Sequence, residues 1–218
     1  MTLEVENYLR QSARWPASGR HILAQYDERS VVVYQAYRPA IGRFAVEHQR
    51  FGGEFSFRRM TWVKPNFLWM MYRSGWGTKP EQEVTLAIRL RREGFDELLR
   101  LAVHSNFVAD VYGGRAAWAD AVERSDVRLQ WDPDHGPRGE PLERRAIQLG
   151  IRGEALAKYA GEWTLGIEDV SEFVRTQAAR LSDGREVELV TPKEAVYAVR
   201  NVETAQKLGV VLDSATSI

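Results

Sequence analysis

The sequence contains no cysteine. This excludes disulfides, thiolate zinc sites and iron–sulfur clusters, and leaves the redox compartment unread. It also carries no net charge, since 30 Lys and Arg balance 30 Asp and Glu. A protein that gathers nucleic acid by long-range attraction has a basic excess, so any such contact here must be a local patch. No apolar run approaches the roughly 18–20 residues that span a bilayer. The opening "MTLEVENYLRQSARWP" mixes acids with short apolar residues and lacks the continuous apolar segment of a secretory signal. The expectation is a cytoplasmic protein with no membrane partner. G-x-S-x-G, P-loop and G-x-G-x-x-G motifs are absent, which removes the usual signatures of hydrolases, NTPases and Rossmann enzymes. His21, His48, His104 and His135 are scattered without a metal-binding spacing, and "DPDH" (132–135) reads as a turn, so no metal site is expected.

What remains is an ordinary globular composition, 44% hydrophobic and 28% charged over 218 residues, enough for one sizeable domain with a small appendage. "SVVVYQAY" (30–37) alternates as a strand, with Val31, Val33, Gln35 and Tyr37 on one face and Val32, Tyr34 and Ala36 on the other. After Arg38-Pro39, helical spacing of Ile41, Phe44, Ala45 and His48 predicts a helix. "VTLAIRL" (84–90), "VRLQW" (127–131) and "RAIQLGI" (145–151) predict strands. "GFDELLRLAVH" (94–104), "RAAWADAVE", "GEALAKYAGEW" and "DVSEFVRTQAARL" predict helices. "DPDHGPRGEPLER" reads as a surface loop. Beyond about residue 183 the texture changes: "GREVELV" predicts a short strand, "TPKEAVYAV" carries a Thr cap with Pro at the first helical position, and "NVETAQKLG" ends a helix on Gly. The expected organisation is a main domain over 1–182 with a small extension, 183–218, packed on it. Helices and strands mix without a βαβ period, which predicts an α+β fold with a mixed, largely antiparallel sheet flanked by helices.

One block stands out chemically. Between Glu54 and Glu81 there is no carboxylate, while residues 59–80, "RMTWVKPNFLWMMYRSGWGTKP", hold Trp62, Trp69, Trp76, Arg59, Lys64, Arg73 and Lys79. Pro65 forbids one continuous helix, Asn66 can cap "FLWMMYRS", and Gly75 fits the left-handed C-terminal position. Lys64 and Arg73 bracket that helix and suit an anionic ligand, with Trp62, Trp69, Tyr72 or Trp76 available to stack on a base or a nicotinamide. The alternative is that the rings are core and the cations its rim. A second pattern is one long polar residue inside an otherwise apolar strand, as with Gln35, Arg89, Gln130 and Gln148. Such glutamines either floor a cleft or face solvent, because a buried amide left unpaired costs about 1–3 kcal/mol. Together these patterns name Gln35, Tyr72 and Gln148 as candidate catalytic residues. The candidate ligand-binding set is Tyr37, Thr61, Lys64, Asn66, Trp69, Arg73, Ser74 and Gln130.

"VYQAYRPAI", the aromatic block, "VRLQWDP" and "RAIQLGI" together resemble the family known as domain of unknown function 4291, over about residues 20–180; that family implies no activity. The layout "VYQAYRPAIGRFAVEHQRF" is also similar to the first strand and helix of ADP-ribosyltransferases, whose strand carries His or Arg where Gln35 stands. That similarity implies a split sheet, NAD as cofactor, Gln35 orienting it and Tyr72 or Trp69 stacking on nicotinamide. It departs from the pattern at Ala36 and Tyr37, and no catalytic glutamate is placed: Glu186 and Glu188 share a face if "REVELV" is a strand. Three functions follow as expectations: an NAD-dependent transferase acting on a macromolecule, a binding module for single-stranded RNA or DNA, and an interaction protein whose rings meet a second copy of the chain.

Overall fold

A computed structural model describes residues 3–210. In chain order its elements are β1 (Val5–Asn7), α1 (Tyr8–Ser12), β2 (Gly19–Arg20), β3 (Leu23–Ala24), β4 (Ser30–Tyr37), α2 (Pro39–His48), β5 (Thr61–Val63), α3 (Phe67–Ser74), β6 (Val84–Arg91), α4 (Arg92–Leu101) and β7 (Val103–His104). There follow α5 (Ala109–Tyr112), α6 (Arg115–Arg124), β8 (Val127–His135), β9 (Pro141–Ile151), α7 (Gly153–Ala160), β10 (Thr164–Asp169), α8 (Ser171–Ser182), β11 (Val190–Pro192), β12 (Ala195–Val196) and α9 (Val202–Leu208). The fold is α+β. Among the described residues the larger sheets are a three-stranded antiparallel one, β10-β6-β4, and a five-stranded one, β2-β9-β8-β7 with β5 also paired to β9, while β1-β11 and β12-β3 form two small two-stranded sheets. A bridge between Tyr34 and Lys64 stitches β4 to the chain just after β5.

The two sheets close on a shared core of Val31, Val33, Leu86, Ile88, Leu129, Leu149 and Phe95. β4 is covered on both sides, because Val32 and Tyr34 pack against Phe67 and Met71 of α3 and Val174 of α8. Its run of β-branched residues suits such a doubly buried strand. On α3, Asn66 Oδ1 accepts the Trp69 N–H at 2.7 Å, and Gly75 closes the helix with φ 59°. The cap is worth about 1 kcal/mol. Burial of Phe67, Leu68, Met70 and Met71 contributes about 1.5–3 kcal/mol for each side chain, so packing holds the helix and the cap fixes where it starts. α2 lies close on β6, since a Cβ on Gly42 would sit 2.5 Å from Val84 Cγ1.

Several predicted elements change. The loop expected over "DPDHGPRGEPLER" shrinks to residues 136–140: β8 runs on to His135 past an irregularity at Pro133, and β9 starts at Pro141. The helix predicted over 94–104 stops at Leu101, and Val103–His104 joins the sheet beside β8. Glu186–Glu188 form a 3-10 turn, so the two glutamates do not share a strand face. "TPKEAVYAV" is extended despite its helix-start signature. Its two halves pair with β1 (Val5↔Pro192) and β3 (Ala195↔Ala24), and long-range pairing overrides the local cap. The segment after 183 is thus laced to the chain's first strands; residues 211–218 of the expected extension lie outside the described residues. No helix among the described residues is long and apolar enough to cross a membrane.

Candidate functional site

The side of the larger sheet turned away from the core carries a polar row. β5 runs antiparallel to β9 with Trp62 opposite Gly150 and Val63 opposite Leu149, and the next step of that register places Lys64 beside Gln148. Gln148 is in turn paired with Gln130 on β8. Alternation puts Asp132, two residues past Gln130, on the same side. Its carboxylate accepts from Gln130 Nε2 through Oδ1 and from Gln148 Nε2 through Oδ2, each at 2.7 Å. A carboxylate oxygen only accepts here, so both amides must turn their NH2 groups toward it. The two Gln carbonyl oxygens are thereby left as acceptors for something else.

Lys64 is 6% exposed. Burial pushes its amine down to about 8, with Arg73 adding to the shift and Asp132 opposing it. The Trp62 ring lies against Gly150, where a Cβ would come within 2.5 Å of Met60 Sδ and 3.0 Å of the indole; the glycine is what lets the ring settle. On the other flank, His135 at the end of β8 stacks on Tyr72 (3.6 Å between ring centres) and Trp69 (5.1 Å) of α3. Trp69 Nε1 is buried without a partner, while Tyr72 and Arg73 are exposed. Behind this wall, buried Arg144 holds buried Asp134 at 2.6 Å, and buried Glu194 accepts the Phe67 N–H at 2.7 Å where α3 begins.

The sequence-predicted residues separate into three groups. Gln130 and Gln148 meet on Asp132, Lys64 lies one step past the β5–β9 pairing within the influence of Asp132 and Arg73, and Tyr72 and Trp69 stack on His135 at the end of the same strand. Gln35, Tyr37 and Thr61 meet elsewhere, on the core side of β4 and β5: Gln35 Nε2 donates to Thr61 Oγ1 at 2.7 Å, Tyr37 and Thr61 hydroxyls bond at 2.7 Å, and Tyr159 donates to Gln35 Oε1 at 2.5 Å. With Gln35 only 3% exposed and both ends of its amide engaged, it fastens the sheets together and does not face a ligand. Burial raises the Tyr37 phenol above its ordinary range, against the pull of Thr61 and Gln35. A cavity of about 340 Å³ opens beyond Tyr37 and Thr61, bordered by Arg38, Arg59, Glu54 and Glu81. Asn66 and Ser74 serve α3 itself, the first as its cap and the second by donating to Met70 O at 3.0 Å.

Asp132, which joins the two glutamines of the row, is the residue that the sequence placed in a turn. The signal for it was the two-residue step from Gln130, which continues the strand into "DPDH". Among the described residues no cluster of three His, Asp or Glu side chains is arranged to hold a metal. A model of the family described as domain of unknown function (DUF4291) matches residues 21–197, which contain the whole polar row. No curated protein matches the chain.

Proposed function

The chain belongs to the DUF4291 family, and from that premise we propose that it binds a nucleotide across the Lys64–Gln148–Gln130 row. The observation that carries the reading is the Lys64 side chain, 6% exposed one step past the β5 pairing, with its amine shifted by both Arg73 and Asp132, while Asp132 takes the NH2 groups of Gln130 and Gln148 and leaves their carbonyl oxygens free. Phosphate oxygens accept hydrogen bonds and suit Lys64 with exposed Arg73 behind it. A base or ribose offers amino or hydroxyl donors to the glutamine oxygens, and half-exposed Trp62 offers a face for stacking.

NAD is the nucleotide to test first, because the resemblance to ADP-ribosyltransferases implies it. Gln35 is sealed in the core, so on this reading transfer from NAD would use Asp132 as the strand-borne carboxylate. Thermal unfolding with NAD, ADP-ribose, ATP, and short RNA and DNA tests the proposal. A ligand at a hundredfold excess over its dissociation constant adds about 2.7 kcal/mol. That is about 5–11 °C for a domain of this size. The expected result is a rise with at least one mononucleotide or dinucleotide that Lys64→Ala and Gln148→Ala both abolish. A rise only with oligonucleotides transfers the row to single-stranded nucleic acid, and no rise with any of them overturns the proposal.

A further inference from the structure

The chain's lysines are unequally employed. Lys79 donates to Arg73 O at 2.7 Å, Lys207 to Arg100 O at 2.5 Å, Lys158 pairs with Glu154 at 2.8 Å and Lys193 lies 3.9 Å from Glu4. Lys64 is the one lysine whose side chain, among the described residues, makes no hydrogen bond and no ion pair, although it is the buried one. Its nearest opposite charge, Asp132, is committed through both oxygens to Gln130 and Gln148. The amine is kept near a carboxylate without being neutralised by it. The stem is buried while the amine itself is not sealed from solvent, so a largely desolvated amine with no protein partner stays within reach of a ligand.

We propose that Lys64 is a nucleophile that captures the carbonyl carbon of a phosphorylated aldehyde, forming an imine at the polar row. The neutral amine adds to the carbonyl carbon as the carbonyl π pair moves to oxygen, and one proton passes from nitrogen to that oxygen to give a neutral carbinolamine. A second proton reaches the hydroxyl, the C–O bond breaks, water leaves as the nitrogen lone pair forms C=N, and the iminium nitrogen gives up its remaining proton in exchange. No oxidant or reductant is required. Asp132 is the charged group placed to take the proton from nitrogen and return it to the departing hydroxyl, and exposed Arg73 receives the phosphate. The environment supports the first step. With an amine titrating at about 8, about half of Lys64 is neutral at pH 8, against roughly one part in 300 for an ordinary lysine.

The inference rests on the same row as the nucleotide reading but on a different ligand, and the two can fail separately. The full-length chain is incubated with pyridoxal 5′-phosphate or ribose 5-phosphate, reduced with cyanoborohydride and mapped by peptide mass spectrometry. The expected result is modification of Lys64 at least about tenfold faster than of Lys158 or Lys193 near pH 8, as the difference in neutral fraction requires. Inorganic phosphate should slow it through Arg73, Asp132→Asn should slow it in a variant that still unfolds cooperatively, and Lys64→Arg should remove the adduct. Labelling of Lys64 no faster than of the exposed lysines overturns the inference, as does a rate indifferent to both phosphate and Asp132→Asn. A nucleotide-induced melting shift that persists without such labelling leaves the nucleotide reading standing and removes only the imine; selective labelling without any nucleotide shift does the reverse.

Discussion

Replacing Glu194 should separate two effects that the structure superimposes. Its carboxyl is 4% exposed, accepts the Phe67 N–H at 2.7 Å and stands 3.4 Å from Asn66 Nδ2. Glu194→Ala leaves that N–H unpaired in the buried first turn of α3, at a cost of about 1–3 kcal/mol. A loss of 2 kcal/mol corresponds to about 4–8 °C for a domain of this length. Glu194→Gln keeps an oxygen for the N–H and should lose much less. Burial lifts the carboxyl well above its ordinary 4.5, with the Phe67 N–H pulling the other way. A group whose folded value is raised contributes stability that is complete below its unfolded value and declines as pH climbs through the folded one. The decline cannot exceed about 1.4 kcal/mol per pH unit. Glutamine has no such charge to bury, so the wild type should lose ground to Glu194→Gln as pH rises from about 5 toward 8, most of all at the alkaline end. Urea unfolding of the three proteins across that range measures it. A wild-type-minus-Gln difference that stays flat with pH, or a Glu194→Ala protein within about 0.5 kcal/mol of wild type, refutes the account of this carboxyl.

Gln35→Leu should destabilise the fold by about 1–3 kcal/mol, because the Tyr159 and Thr61 hydroxyls lose buried partners. It should leave nucleotide affinity unchanged, and calorimetry showing lost binding in a folded variant would move the site to the other side of β5. Gly150→Ala forces Met60 and the Trp62 ring aside; a folding cost of about 1–3 kcal/mol with weakened nucleotide binding is expected from denaturant unfolding and titration. Lys64, labelled by reductive ¹³C-methylation and followed by NMR, should titrate near about 8 and lower still in Asp132→Asn, since Asp132 is the neighbour that raises it. Because burial depresses this amine, its contribution to stability should improve as pH rises from about 8 toward the ordinary lysine range.

The parts of the site that could be read from sequence are those governed by local rules. Asn66 and Gly75 bounded α3 because a cap and a left-handed residue act within one turn. Gln130 and Gln148 stood out as polar positions in apolar strands. Gln35 has that same signature and a different fate, since alternation states which residues share a face but not what the face meets. With both sides of β4 packed, parity could not tell whether Gln35 would meet solvent or core. β5 was missed because three residues ending before Lys64-Pro65 are too few to show a period. Thr191 and Pro192 mimic a helix start, yet Gln11 and β1 claim that segment from the far end of the chain, and nothing local announces such a pairing.

That pairing sets a timetable for biosynthesis. Gln11 waits for Thr191, 180 residues later, and Trp15 for the carbonyl of Glu194. At 5–20 residues added per second, the interval is roughly 10–40 s. For that time the start of the nascent chain lacks the strand that fastens it, even after Asp169 completes the strands of both larger sheets, and the Tyr8 and Trp15 rings stand on the ribosome-bound intermediate as a greasy handle for chaperones or a seed for aggregation. The stretch that fastens the beginning is also the one that brings Glu194 to the head of α3, so the wall beside the polar row is completed only after that stretch has emerged.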